Sequence, residues 1–190
     1  VWMAENLRTT SYRDGSAIEN VTATDDWKIL TTGAYCSFNN DDANIDDYGL
    51  LYNWYAVGNA KNIAPSGWHV PTDEEYRTLM NYFGGTNGSN VSGAYLKEPG
   101  LTYWESPNEG ANGGAGFNAR GNGMRIYVRT IDTTNAGFSE FKRASPWWTS
   151  TSGTDSTAAF RQCNSSSTQV YRFYYLGGFR YNDKRTGYAV

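Results

Sequence analysis

The chain is poor in the residues from which most catalytic and metal centres are built. It has one histidine, His69, and two cysteines, Cys36 and Cys163, in 190 residues. A single imidazole cannot make a histidine cluster for zinc, and any Ser-His-Asp arrangement would depend on that one ring. Two cysteines without ligand spacing leave the redox compartment open. Charged residues are few, at 18%, and the net charge of -3 gives no general attraction to nucleic acid or to an anionic membrane. No run of 18 apolar residues occurs, so no direct membrane insertion is expected, and no signal peptide is recognisable. The chain starts at Val1 without a methionine and stops at Val190, each inside an apparent strand. The expectation is a single domain over 1–190, cut from a longer protein, with its oligomeric state open.

What is abundant is aromatic and flexible: 16% aromatic residues, with 7 Trp and 15 Tyr, and 21 Gly. This suits a loop-rich β domain with one core. Tyr and Trp also give contact area at low entropic cost, which suits recognition. The clearest local signal is 67–83, GWHVPTDEEYRTLMNYF. Thr72 and Glu75 form a capping box behind Pro71, and Asp73, Glu74 and Glu75 load the first turn with favourable charge. Tyr76, Leu79, Met80 and Phe83 then repeat at helical spacing, and Gly84-Gly85 ends the element. The pattern predicts a helix at 73–83, with a second near 54–60 or 94–98.

Most of the rest reads as strand, turn and loop. Residues 1–12 read as an opening strand followed by a polar connection, and strands are expected at 34–38, 124–131, 146–152, 158–163, 170–176 and 187–190. Trp27, Ile29 and Leu30 should anchor a loop, and 49–57 is dense enough in aromatics to be core, as strand or short helix. Residues 105–123 read as a long ordered loop, 132–146 as a polar connection, and Gly177-Gly178 as a hairpin turn.

Several constellations invite chemistry. Asp42, Asn44 and Asp46 alternate like the start of an EF-hand loop. Asp47 stands where that loop needs glycine, and Asn53 where it needs the closing Glu, so a solvated turn without a cofactor is expected, with a structural calcium ion on Asp42, Asn44 and Asp46 as the minor alternative. Asp25-Asp26, Asp41-Asp42 and Asp46-Asp47 lack the environment that would separate two carboxylates into acid and base. His69, beside Trp68 and Pro71, is expected to make a structural hydrogen bond.

The motifs at 2–8 (WMAENLR), 48–57 (YGLLYNWYAV), 65–72 (PSGWHVPT), 147–151 (WWTST) and 187–190 (GYAV) together resemble the Fibrobacter succinogenes major paralogous domain family, or FISUMP. The likeness runs nearly end to end. It implies an α+β fold of C-type-lectin-like architecture: a small twisted antiparallel sheet, one or two helices and long ordered loops. It also implies an extracellular, cell-surface or phage location. The family often carries a Cys where Ala64 stands here, so its usual disulfide is expected to be absent or replaced. A looser similarity is to the variable proteins of diversity-generating retroelements, whose ligand surface is a diversified C-terminal segment.

That similarity directs attention to 158–183. Phe160, Arg161, Gln162, Tyr171, Arg172, Tyr174, Tyr175, Phe179, Arg180, Tyr181 and Asn182 form an aromatic and arginine set of the kind enriched at binding hot spots. Strand alternation would turn about half of them inward. The expected function is non-catalytic recognition of a protein or glycan, as in an adhesin. Two alternatives stand beside it. One is an enzyme related to the formylglycine-generating oxidases, which needs a close cysteine pair. The other is a purely structural module.

Overall fold

A computed structural model describes residues 1–84, 90–126, 137–173 and 183–190. Along them run β1 (Glu19–Asn20), α1 (Thr24–Lys28), β2 (Ala34–Cys36), α2 (Ile45–Tyr48), β3 (Leu51–Tyr52), α3 (Trp54–Val57), α4 (Asp73–Tyr82) and α5 (Ser92–Leu96). Then follow β4 (Asn122–Arg125), β5 (Phe138–Phe141), β6 (Ala144–Ser152), β7 (Ala158–Asn164) and β8 (Val170–Phe173). The strands form small sheets ordered β1-β2-β3, β4-β5 and β6-β7-β8. Pairing is antiparallel apart from β1 with β2. The fold is α+β, with small antiparallel sheets, short helices and long loops.

Helix α4 forms where its sequence says it should. The Thr72 hydroxyl accepts the Glu75 N–H at 3.1 Å, and the Glu75 carboxylate accepts the Thr72 N–H at 2.8 Å. Tyr76 and Met80 are buried, with Leu79 and Phe83 packed beside them. Residues 49–57 carry both elements weighed for them, since β3 is followed at once by α3. Residues 105–121 are loop, as expected.

Other expectations change. Residues 1–12 form no strand, because their backbone groups serve several partners. The Leu7 N–H donates to Val190 O at 2.7 Å, while Leu7 O accepts the Leu50 N–H at 3.1 Å. Residues 187–190 behave likewise: Gly187 bridges Arg125, Tyr188 bridges Tyr52, and Ala189 bridges Trp147. The tail thus stitches the three sheets together rather than joining one. The connection expected at 132–146 contains β5 and the start of β6, held by a buried Phe138. Trp27 is buried within α1, yet Ile29 is 76% exposed and anchors nothing. Strand β4 is seen to Arg125 and β8 to Phe173. The expected continuations at 127–131 and 174–176, and the Gly177-Gly178 turn, lie outside the described residues.

The β6-β7-β8 sheet is covered on both faces. Trp147 and Trp148 are adjacent on β6, so their side chains leave opposite faces. Trp148 packs with Tyr52, Phe160 and Tyr188. Trp147 packs with Tyr76, Met80 and Cys163 beneath α4. A third cluster gathers Trp27, Cys36, Phe38 and Phe138.

Long loops leave many backbone carbonyls without ladder partners, and buried side chains take them up. Lys97 has no exposed surface, and its Nζ donates to Glu109 O, Asn164 O and Ser167 O at 2.9, 3.0 and 2.8 Å. Buried Arg125 donates to Val21 O and Thr22 O at 2.7 and 2.8 Å, its guanidinium 4.3 Å over the Trp27 ring. Asn53 Oδ1 accepts the N–H groups of Ala34 and Ala56, while its amide donates to Thr32 O at 2.8 Å.

Candidate recognition site

The contact set expected on 158–183 divides sharply. Phe160 is 1% exposed, stacked on Phe173 with ring centres 4.5 Å apart and tilted against Tyr188 at 4.6 Å. Arg161 is 3% exposed. Both belong to the interior rather than to a ligand-facing surface. The reason is that α4 covers the face of β7 opposite the Trp148 cluster, so no face of that strand is open at these positions. Gln162 and Tyr171 are half-buried, and Arg172 is exposed. The register pairs Gln162 with Tyr171 and Arg161 with Arg172. Alternation therefore sends Gln162 and Tyr171 to the Phe160 face and Arg172 to the α4 face. These residues make no single flat patch, and converge only along the edge formed by β8. Tyr174, Tyr175, Phe179, Arg180, Tyr181 and Asn182 lie outside the described residues.

Asp73 joins this edge to the scaffold. Its carboxylate lies between two guanidiniums, with Arg161 Nη2 2.6 Å from Oδ1 and Arg172 Nη2 2.7 Å from Oδ2. Arg172 Nε also donates to Oδ2 at 2.8 Å, and Arg161 Nη2 donates to the Asp73 carbonyl at 3.1 Å. The Asp73 N–H donates to Thr151 Oγ1 at 3.0 Å. The Arg161–Oδ1 contact falls outside hydrogen-bond angles, so it holds as a charge pair. Burial lowers the affinity of Arg161 for its proton, and Asp73 works against that shift. Sequence reasoning gave Asp73 only a helix-dipole role. Its partners are about ninety residues away, and no local pattern announces them.

Segment 174–182 is bracketed by fixed residues. Phe173 is stacked on Phe160. Asp183 bridges Thr157 and receives two hydrogen bonds from the Arg185 guanidinium, at 2.8 and 2.7 Å. The Lys184 N–H donates to Ser156 O, and the Trp54 N–H to Lys184 O. Lys184 Nζ sits 4.3 Å over the Trp54 ring.

The other candidates are scattered. His69 Nε2 lies 2.8 Å from Glu75 Oε1, the structural bond expected of it. The calcium candidates have separate partners: Ser37 donates to Asp42, the Asn44 amide donates to Phe38 O, and Arg8 pairs with Asp46. Among the described residues no three His, Cys, Asp or Glu side chains gather as a metal-ligand group. Cys36 and Cys163 are free, buried and in different core clusters, so they do not form the close pair that the oxidase reading needs. Burial pushes their thiols up to about 11 and about 12.

One concave feature was not legible in the sequence. A cleft of about 730 Å³ opens between residues 1–8, the 64–71 loop, the outer side of α4 and the 117–120 loop. Trp2, Trp68 and Tyr82 are among the residues that line it. Trp2 lies 4.9 Å from Tyr76 and 6.1 Å from Phe117, ring centre to ring centre.

The family model described as the Fibrobacter succinogenes major domain matches residues 1–190. No curated protein and no solved structure matches the chain.

Proposed function

The chain belongs to the Fibrobacter succinogenes major domain family, and from that premise we propose a non-catalytic recognition domain that binds a protein or glycan along the β8 edge. The C-type-lectin-like architecture belongs to the same proposal. So do a bacterial-surface or phage-particle location and retroelement-type diversification of 158–183. The observation that supports the reading most is the bracketing of 174–182. Phe173 and Asp183 are each tied to β7 or its approach, so whatever lies between starts and ends on a rigid frame. Preorganised ends lower the ordering cost of binding. Arg172 and Tyr171 stand beside that segment, and both residue types are common at hot spots.

The test is to sequence this locus in related strains. Substitutions should concentrate at Gln162, Tyr171, Arg172 and 174–182, sparing buried Phe160, Arg161, Cys163 and Val170. A nearly identical template repeat differing at adenines, beside a reverse transcriptase gene, is the expected source. Variation spread evenly over buried and exposed positions overturns the diversification. Binding is tested by Tyr174→Ala with Tyr181→Ala, which should abolish retention on protein and glycan arrays at unchanged Tm. Unaltered retention overturns the recognition surface.

A further inference from the structure

We infer that the cleft beside α4 is a binding site for a neutral saccharide, separate from the β8 edge and independent of the reading above. The argument starts from the seven tryptophans. Five spend their indole N–H inside the fold: Trp27 on Arg185 O, Trp54 on Thr149 O, Trp104 on Ala119 O, Trp147 on Asn6 Oδ1 and Trp148 on Tyr52 O. Trp2 and Trp68 are the two whose N–H has no partner among the described residues, and both line this cleft. Both rings are half-buried, packed against the core on one side, whereas Trp27, Trp104, Trp147 and Trp148 are fully enclosed. Tyr82, also in the lining, is 83% exposed. The cleft thus offers aromatic side chains together with indole donors that have no partner among the described residues.

The polar groups around it choose among ligands. Its carboxylates already have cationic or imidazole partners: Glu5 and Asp46 pair with Arg8 at 2.6 and 3.3 Å, Asp47 with Arg120 at 3.2 Å, and Glu75 with His69 at 2.8 Å. Four carboxylates against two arginines leave an excess of two negative charges with His69 neutral, which disfavours an anionic ligand. No carboxylate stands alone to recruit a cation. What remains is a lining of paired, hydrogen-bonding side chains together with aromatic rings. A sugar presents the matching chemistry, with C–H faces for the rings and hydroxyls that accept from N–H and donate to carboxylates. The volume lies within the roughly 300–1,000 Å³ range of small-ligand sites, enough for a short oligosaccharide.

The experiment is a calorimetric titration of the whole domain. The probes are neutral disaccharides of β-linked glucose, xylose, mannose and N-acetylglucosamine, with a uronic-acid disaccharide as the charged comparator. At least one neutral probe should bind saturably, with tryptophan fluorescence changing in step and little dependence on salt. Tyr82→Ala should weaken that binding by about tenfold, which corresponds to about 1.4 kcal/mol. Trp2→Phe, which keeps a ring and removes the donor, should weaken it several-fold. Tyr82 is exposed enough that its variant folds, so a destabilised Trp2 variant does not block the test. Absence of saturable binding by every neutral probe overturns the inference. So does preference for the uronic acid, or equal affinity in wild type and Tyr82→Ala.

Discussion

Replacing Asp73 by Ala tests whether α4 is docked mainly by packing or by charge. Asp73 is 7% exposed and its partner Arg161 3%. Loss of the carboxylate leaves a buried guanidinium whose other polar contacts are the Asp73 carbonyl and the Met80 sulfur, 3.7 Å from Nη1. Breaking a buried pair from one side costs about 3–5 kcal/mol. That is a large share of the roughly 5–15 kcal/mol that holds a domain folded. Arg172 adds little, since half its side chain is in water and exposed pairs contribute at most about 1 kcal/mol. The exposed Glu74–Arg77 pair on the same helix is the internal control, and Glu74→Ala should cost under about 1 kcal/mol. Urea unfolding at neutral pH reads both variants, with an unchanged m-value showing that the midpoint shift is stability. Removing both buried charges, as Asp73→Ala with Arg161→Met, should recover most of the loss beside Met80. If Asp73→Ala costs no more than Glu74→Ala, or if the double variant is no better than the single one, the charge account of docking is wrong.

Three other outcomes follow from the same contacts. Lys97→Met should cost about 3 kcal/mol by stranding carbonyls that its ammonium serves, and Lys97→Arg should not rescue it, because a planar fork cannot replace a point donor; thermal melts of both check this. Thr72→Ala should cost about 1 kcal/mol in urea unfolding through loss of the α4 cap. Stability should fall in alkali: both thiols are raised by burial, so above the ordinary cysteine range the unfolded chain has released protons that the folded one still holds. The loss should run from about pH 9 toward about 11 for Cys36 and about 12 for Cys163, and replacing Cys163 with Ala should flatten the upper part of the urea-midpoint profile.

What the sequence made legible was local. The α4 cap and stripe are decided within twelve residues, by a hydroxyl, a carboxylate and helical spacing, and the structure follows them. The strand at 158–163 is likewise a property of neighbours. What escaped was decided across the chain. Phe160 and Arg161 carry side chains suited to a binding surface, and only the seat of α4 on β7 makes them core. The segments at 1–12 and 187–190 have strand-like sequences, but their hydrogen bonds are shared among several elements, so neither becomes a strand. No local pattern could place the Lys97 ammonium among carbonyls from two separate turns, one at Glu109 and one at Asn164–Ser167.

The same distinction bears on what the signature motifs mean. Several of their residues are joints. Asn6 takes the Trp147 N–H on its oxygen and donates to Tyr48 O at 2.9 Å. Asn53 ties α3 to β2, Thr72 starts α4, and Trp147 and Trp148 pin the two faces of one sheet. Gly49, at φ 75, passes so close to Asn6 that a Cβ would come within 2.6 Å of it, which binds the first motif to the second. Removing any of these should loosen the frame, so their presence identifies a fold and says little about a ligand. Trp2 and Trp68 sit in the same motifs and pack against the core from its margin, but that account does not use their indole donors, which stay idle among the described residues. If they served packing alone, Trp2→Phe and Trp68→Phe would change stability and nothing else. A loss of saccharide binding at unchanged Tm would show that part of the motif is there for the ligand.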